Sequence, residues 1–211
     1  MNSGALARVT AALGASAKRT VNAVAYSVFT ANPTQPDGQP AWLETPTGQR
    51  YRSNLTTGVA IPDVATLSVM RTKMRLLRGL NTPEGNESDA IIAMDPARLL
   101  VPSSLADDAQ QTVESSADPD GANENVHNPF FGMERVVEPR LDADSSTAFY
   151  LLVDPLTEPR RGVEVTFLDG HDLPIFDMHR DPGTLSLRFT VRQVYSAARL
   201  DYRGVQRHDG T

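Results

Sequence analysis

The sequence contains no cysteine, which excludes disulfides, thiol nucleophiles and cysteine-ligated metals and makes a reducing compartment its natural setting. Lysine is nearly absent as well. Lys18 and Lys73 are the only two, and arginine supplies the remainder of the twenty basic side chains, so lysine-based chemistry has few candidates. No apolar run approaches the roughly 18 residues of a membrane helix; the longest extends from about Ala148 to Val153. The charge balance is wrong for a dedicated nucleic-acid binder. Twenty-six Asp and Glu against 20 Lys and Arg leave a net charge of −6 and a pI near 5.2, whereas phosphate recognition needs concentrated cations. Any contact with DNA is expected to be incidental.

Active-site signatures are missing too. There is no G-x-S-x-G elbow, no S-x-x-K arrangement and no phosphate-cradling glycine motif, so neither serine hydrolysis nor nucleotide use has support. The densest polar cluster is His171, Asp172, Asp177, His179 and Asp181. Its side chains are of metal-ligating type, but none has the spacing of a helical metal motif. The cluster lies among Gly170, Pro174, Pro182 and Gly183 and reads as a solvated loop. The acids from Asp107 to Glu124 lack the order of a calcium loop and read as a solvated face. No metal, no cofactor and no enzymatic activity is expected.

What the sequence does contain is enough apolar residue, 40% of 211, to bury a core. From Leu6, the residues Val9, Leu13, Ala17, Val21, Val24 and Val28 recur three or four apart and predict one long helix, stopped by Asn32-Pro33. A turn-rich loop follows at Pro36, Asp37, Gly38 and Pro40. Asp63 as N-cap, then Leu67, Met70, Met74 and Leu77, with Arg75 and Arg78 near the end and Gly79 behind, predict a second helix. After a loop from Asn81 to Asp89, Ile91–Met94 and Leu99–Val101 predict one or two buried strands. Ser104 and Asp107 have capping-box spacing for a third helix reaching about Val113. Glu114 to Asn128 reads as a long surface loop.

Strands are then predicted at Met133–Val137, Ala148–Val153, Val163–Leu168 and from Leu185 onward. In the last, Leu185, Leu187, Phe189 and Val191 alternate with Ser186, Arg188, Thr190 and Arg192, the period of a strand with one buried and one wet face. A bulge or bend is expected near Gln193, before the strand resumes toward Leu200 and Tyr202. Leu100, Val137, Leu152 and Val165 are expected in one sheet, covered by the helix that carries Leu67, Met70 and Met74.

The candidate functional residues lie near the C-terminus. Arg188, Arg192, Arg199 and Arg203 interleave with Tyr195 and Tyr202, and arginine and tyrosine are enriched at protein interfaces. The same pattern also suits a charge-protected strand edge or an exposed nucleic-acid surface.

Short motifs in a fixed order add a further reading. Phe29-Thr30-x-Asn32-Pro33 is followed by Asp37-Gly38 and Asn54-Leu55, then by Leu99-Leu100-Val101-Pro102 and Asn128-Pro129-Phe130. Val136 to Leu141, Phe149 to Pro155 and the closing Arg199 to Gly204 complete the series. In this order they resemble the Mu-like prophage major head subunits, a family of tailed-phage major capsid proteins, over nearly the whole chain. The resemblance implies an α+β protein of the Hong Kong ninety-seven type. Residues 1–32 would then be a peripheral-domain helix, 33–157 the axial domain and 158–211 a return to peripheral strands.

The function so implied is that of a structural subunit of an icosahedral phage head, assembled in the bacterial host cytoplasm and resident in the virion capsid. Its partners would be copies of itself in hexamers and pentamers, with scaffold or decoration proteins besides, packaged DNA only incidentally, and no membrane. An encapsulin-like compartment subunit and a hydrolase linked to head maturation are the alternative readings. Set against that resemblance, a chain that opens at a predicted helix is expected to lack the family's N-terminal arm, extended loop and spine helix. By itself it is therefore expected not to close into shells, and lysine cross-links are not expected to be the source of shell strength.

Overall fold

The computed structural model describes residues 3–35, 38–45, 53–78, 91–119, 126–156, 162–184 and 186–210. The chain divides into two units. Unit 1 is Met1–Phe29 with Val163–Arg199, and unit 2 is Thr30–Gly162 with Leu200–Thr211. The expected loop from Asn81 to Asp89, as well as Gly79 and Leu185, lies outside the described residues.

Unit 2 is built on a five-stranded sheet. Its strands are β1 (Leu55–Thr56), β2 (Arg98–Val101), β3 (Glu134–Val137), β4 (Phe149–Leu152) and β9 (Val205–His208), in the order β1-β9-β4-β2-β3. β2 and β3 run parallel. The connection between them contains α3 (Ala106–Glu114), as a parallel pair requires a crossover. β4 lies antiparallel to both β2 and β9.

One face of this sheet is sealed by α3 and by α2 (Val64–Arg75). Leu67, Met70, Met74, Leu99, Val101, Phe149 and Leu151 share one buried cluster. On β4 the intervening Tyr150 is equally buried and meets Trp42 with ring centroids 5.7 Å apart. Both faces of this central strand are therefore covered, as its unbroken apolar run suggests.

Asp63 caps α2 as expected, accepting from the Thr66 N–H at 2.6 Å. Ser104 does not cap α3. Pro102 leads into a 3-10 turn at Ser103–Leu105, and the Ser104 hydroxyl donates to the Ser146 carbonyl. Asp142, from a distant turn, takes the Ser103 N–H at 2.9 Å, and that bond holds its carboxyl below the usual carboxylate range. The expected strand at Ile91–Met94 is absent. Ile91 makes only an isolated bridge to Arg78, and Ala93 sits at φ 55°, which breaks any extended run. Of the four residues expected in one sheet, Leu100, Val137 and Leu152 are there, but Val165 belongs to a separate two-stranded sheet in unit 1.

Three asparagines hold the loops of unit 2. Asn32 accepts from the Trp42 N–H at 2.6 Å. Asn54, fully buried, donates to the Ala41 carbonyl at 2.8 Å and accepts from the Leu43 N–H at 2.9 Å. Asn128, also fully buried, donates to the carbonyls of Thr112 and Ser115 at 2.5 and 2.9 Å, which satisfies the end of α3. The loop from Glu114 to Asn128 is thus tied at its base. Ala117 bridges His127, and the Asp118 N–H reaches the Val126 carbonyl.

Strand β9 ends on an unusual histidine. His208 is 3% exposed and stacks on Phe149 with ring centroids 4.9 Å apart, and its Nδ1 accepts the Gly210 N–H at 3.0 Å. A ring whose Nδ1 accepts is neutral. Burial lowers its pKa below the ordinary 6.5, and the pull of Asp209 does not restore it. In the unfolded chain the same ring takes up a proton near 6.5, so in that window the unfolded state binds more protons. The contribution is complete above 6.5 and is lost as the pH falls through the lower folded value. His127, His171 and His179 are exposed. Urea midpoints of unit 2 should therefore fall between about pH 7.5 and 5.5, and the fall should flatten in His208→Gln. A wild-type midpoint that stays level or rises over that window would contradict the assignment.

Candidate assembly interface

Unit 1 contains α1 (Ser3–Thr30) and four strands, β5 (Val163–Phe167), β6 (Ile175–Arg180), β7 (Leu187–Arg192) and β8 (Tyr195–Arg199). The helix forms because its 28 residues hold no proline and much alanine, and it ends just before Asn32-Pro33. β5 pairs with β8, and β6 pairs with β7, as two separate two-stranded sheets. Strand β6 runs through the segment expected to be a solvated loop. Its charged residues are indeed exposed, but Asp177 and His179 lie on a strand.

The break expected near Gln193 is real, though its form differs. The chain leaves its partner β6 at Arg192 and begins pairing with β5 at Tyr195, and β8 stops at Arg199, short of Leu200 and Tyr202.

Register sorts the side chains of the β6–β7 hairpin. Phe176 faces Val191, Met178 faces Phe189 and Arg180 faces Leu187, while Ile175, Asp177 and His179 face Arg192, Thr190 and Arg188. Partners across a ladder share a face, so the first three pairs form an apolar face with Arg180 at its tip. The second three form the polar face.

The face expected to be buried is largely open. Phe176, Met178 and Leu187 are 45, 64 and 43% exposed, and only Phe189 and Val191 are partly covered. At its base, Phe176 approaches α1 at Gly14, where an added Cβ would lie 3.3 Å from the ring. Thr10, Ala11, Gly14, Ala15 and Lys18 line a groove there with Leu173, Pro174 and Phe176. Small residues on the helix make this approach possible.

The six sequence candidates have different surroundings. Arg188 and Arg192 are exposed on the polar face of β7, and Tyr195 is half-buried on β8. Arg199 donates from Nη1 to the Phe29 carbonyl at 3.1 Å, a cation at the C-terminal turn of α1 where the helix dipole favours it. Tyr202 is 7% exposed. Arg203 grips Asp201 through Nε and Nη2 at 3.0 and 2.7 Å, and its guanidinium lies over the Tyr202 ring. The first four belong to unit 1, while Tyr202 and Arg203 belong to unit 2.

Phe176, Met178 and Arg180 alternate with Asp177 and His179 in the sequence, but the charges between Pro174 and Pro182 mask the strand period.

Among the described residues, no group of three or more His, Asp or Glu is placed to hold a metal ion, and no helix is long and apolar enough to cross a membrane. Asp181 accepts the Gly183 N–H at 2.9 Å, a turn bond that lowers its pKa. Lys73 donates from Nζ to the Leu55 carbonyl at 3.2 Å and to Thr56 Oγ1 at 2.9 Å; its pKa is lowered by burial, against the opposing pull of Glu44.

A sequence profile described as phage capsid protein matches residues 1–208. No curated protein matches the sequence. Among solved structures, a phage-related protein from Bordetella bronchiseptica RB50 is similar, at 14% identity and a TM-score of 0.45. The match covers 84% of this chain and 56% of the other, so the chain spans little more than half the length of that protein.

Proposed function

We propose, from the premise that this chain belongs to the phage capsid protein family, that it builds the capsomers of an icosahedral head of the Hong Kong ninety-seven type. The family is structural and non-enzymatic, and its place is the virion capsid. The observation that carries the reading is the match itself, which takes in both units from residue 1 to residue 208. In the proposal, unit 2 serves as the axial lobe, its five-stranded sheet closing around the capsomer centre. Unit 1, with a 28-residue helix and two-stranded ribbons, serves as the peripheral lobe. The chain's passage from unit 1 to unit 2 and back, at Phe29, Val163 and Arg199, suits two lobes that each meet different neighbours. Hexamers and pentamers of this chain are the proposed assemblies, with scaffold and decoration proteins as further partners.

Mass spectrometry of purified virions tests the reading. This sequence is expected at the largest molar share of any protein, in particles whose capsomers have sixfold and fivefold symmetry by electron microscopy. Its absence from the particles, or a share of only a few copies, would refute the proposal.

A further inference from the structure

Several arginines of unit 2 are paired with carboxylates within the chain. Arg75, Arg98, Arg140 and Arg203 meet Asp95, Glu134, Glu138 and Asp201 at 2.5–2.7 Å. The hairpin of unit 1 is different: Arg180, Arg188 and Arg192 have no carboxylate partner among the described residues. The imbalance extends to whole units. Seven of the 20 basic residues but only five of the 26 acids fall in unit 1, which therefore carries +2 while unit 2 carries −8. A two-stranded ribbon with an open apolar face is also marginal in water by itself, and such a face marks a contact.

A complementary surface exists on unit 2, at the C-terminal end of α3. Glu114 has a side chain 61% exposed, and its nearest cation, Arg135, stands 4.0 Å away. Beside it, the turn at 128–132 is fastened to the helix end by the Gly132 N–H on the Val113 carbonyl at 2.8 Å. That turn presents Phe131, 54% exposed, and the segment before it presents Val126, 50% exposed. Acid and apolar side chains thus lie together, as basic and apolar ones do on the hairpin.

We infer that the β6–β7 hairpin of one copy docks through its apolar face on the α3-end surface of a second copy, Met178 and Leu187 against Phe131 and Val126 and Arg180 against Glu114. The contact is head-to-tail, and repetition of such a contact closes rings or extends arrays. Arg188 and Arg192, on the opposite face, add the long-range field that draws a +2 unit toward a −8 one, which raises the rate of encounter more than the strength of the final contact. The inference rests on the capsid reading, in that the occupant is another copy of this chain.

Charge exchange between two variants of the full chain tests it, with self-association read by sedimentation velocity and mass photometry. Arg180→Glu and Glu114→Arg are each expected to weaken association by about tenfold, and their mixture to recover it within about threefold of wild type. Met178→Asp is expected to weaken it without rescue by either. All three substitutions are on exposed side chains, so melting temperatures should match wild type. A wild-type chain that stays monomeric, variants that associate like wild type, or a mixture that fails to recover would each overturn the docking. So would hairpin variants that assemble normally but lose packaged DNA, which would reassign the hairpin to nucleic acid. Presence of the chain in virions together with unaltered assembly of the variants would leave the capsid reading standing and remove only this contact.

Discussion

Phe149→Ala lowers the stability of unit 2 by about 3–5 kcal/mol, the range for a fully buried phenylalanine whose site cannot collapse. Phe149 is 0% exposed at the start of β4, the strand held between β2 and β9, so the backbone around it is tied on both sides and cannot move in to fill the space. The ring also forms one wall of the His208 site, lying parallel to the imidazole within 2°. Its removal admits water to a histidine that burial keeps neutral. The acid sensitivity described above should therefore weaken in the same variant. Urea titration of the unit 2 transition reads the first effect as a lower midpoint at unchanged slope, and repetition at about pH 5.5 reads the second. Phe149→Leu, which keeps most of the volume, is expected to lose much less. A loss below about 1 kcal/mol for the alanine variant would mean that the core is not packed as described.

Asn54→Ala is expected to cost about 2–4 kcal/mol, although it removes hardly any apolar surface. The amide of Asn54 satisfies the Ala41 carbonyl and the Leu43 N–H, and the side chain is fully buried. Truncation leaves both backbone groups without that partner, and an orphaned buried group costs its full desolvation. Asn54→Asp should be at least as damaging, because a carboxylate cannot donate to Ala41 and would bring an unpaired charge into the site. A readout specific to this role is amide hydrogen exchange at Leu43, whose N–H should open far faster in both variants while amides of β2 keep their order of protection. Unchanged exchange at Leu43 would show that the asparagine is not what holds the loop.

Asn54 also shows how much of the fold was readable beforehand. In the sequence Asn32, Asn54 and Asn128 are only members of short motifs in a fixed order, and the structure gives each a mechanical task. An asparagine side chain carries the same donor and acceptor as a peptide group, so it can stand in for backbone where a loop has no strand to pair with. Its spacing from the groups it bonds, 11 and 13 residues for Asn54, leaves no periodic mark. The long helices were legible because a 3.6-residue period is local. So were β3, β4 and β5, whose apolar residues are contiguous in the first two and alternate in the third.

Strand β9 was missed for the opposite reason. Its sequence Val-Gln-Arg-His has a single apolar residue, yet Gln206 and His208 are buried. They are interior because β1 and β4 flank them, and nothing within four residues predicts which neighbours a strand will have. Gly210 belongs to the same assembly: it sits at φ 70°, where an added Cβ would fall 2.2 Å from the Thr147 carbonyl, a clash defined by a segment more than sixty residues away.

For the six interface candidates, composition picks out arginine and tyrosine as types but does not distinguish a side chain that faces solvent from one turned inward. Arg203 lies two residues from its carboxylate, and Arg199 reaches a carbonyl 170 residues distant. The sequence by itself determined the helices, the family order of motifs, the absence of cysteine and the scarcity of lysine, because each depends on residue type or on local spacing. Only the tertiary structure decided the pairing of β9 with β4, the separation of β5 from the main sheet and the open apolar face of the hairpin, because these depend on which distant segments meet, and burial is a property of that meeting.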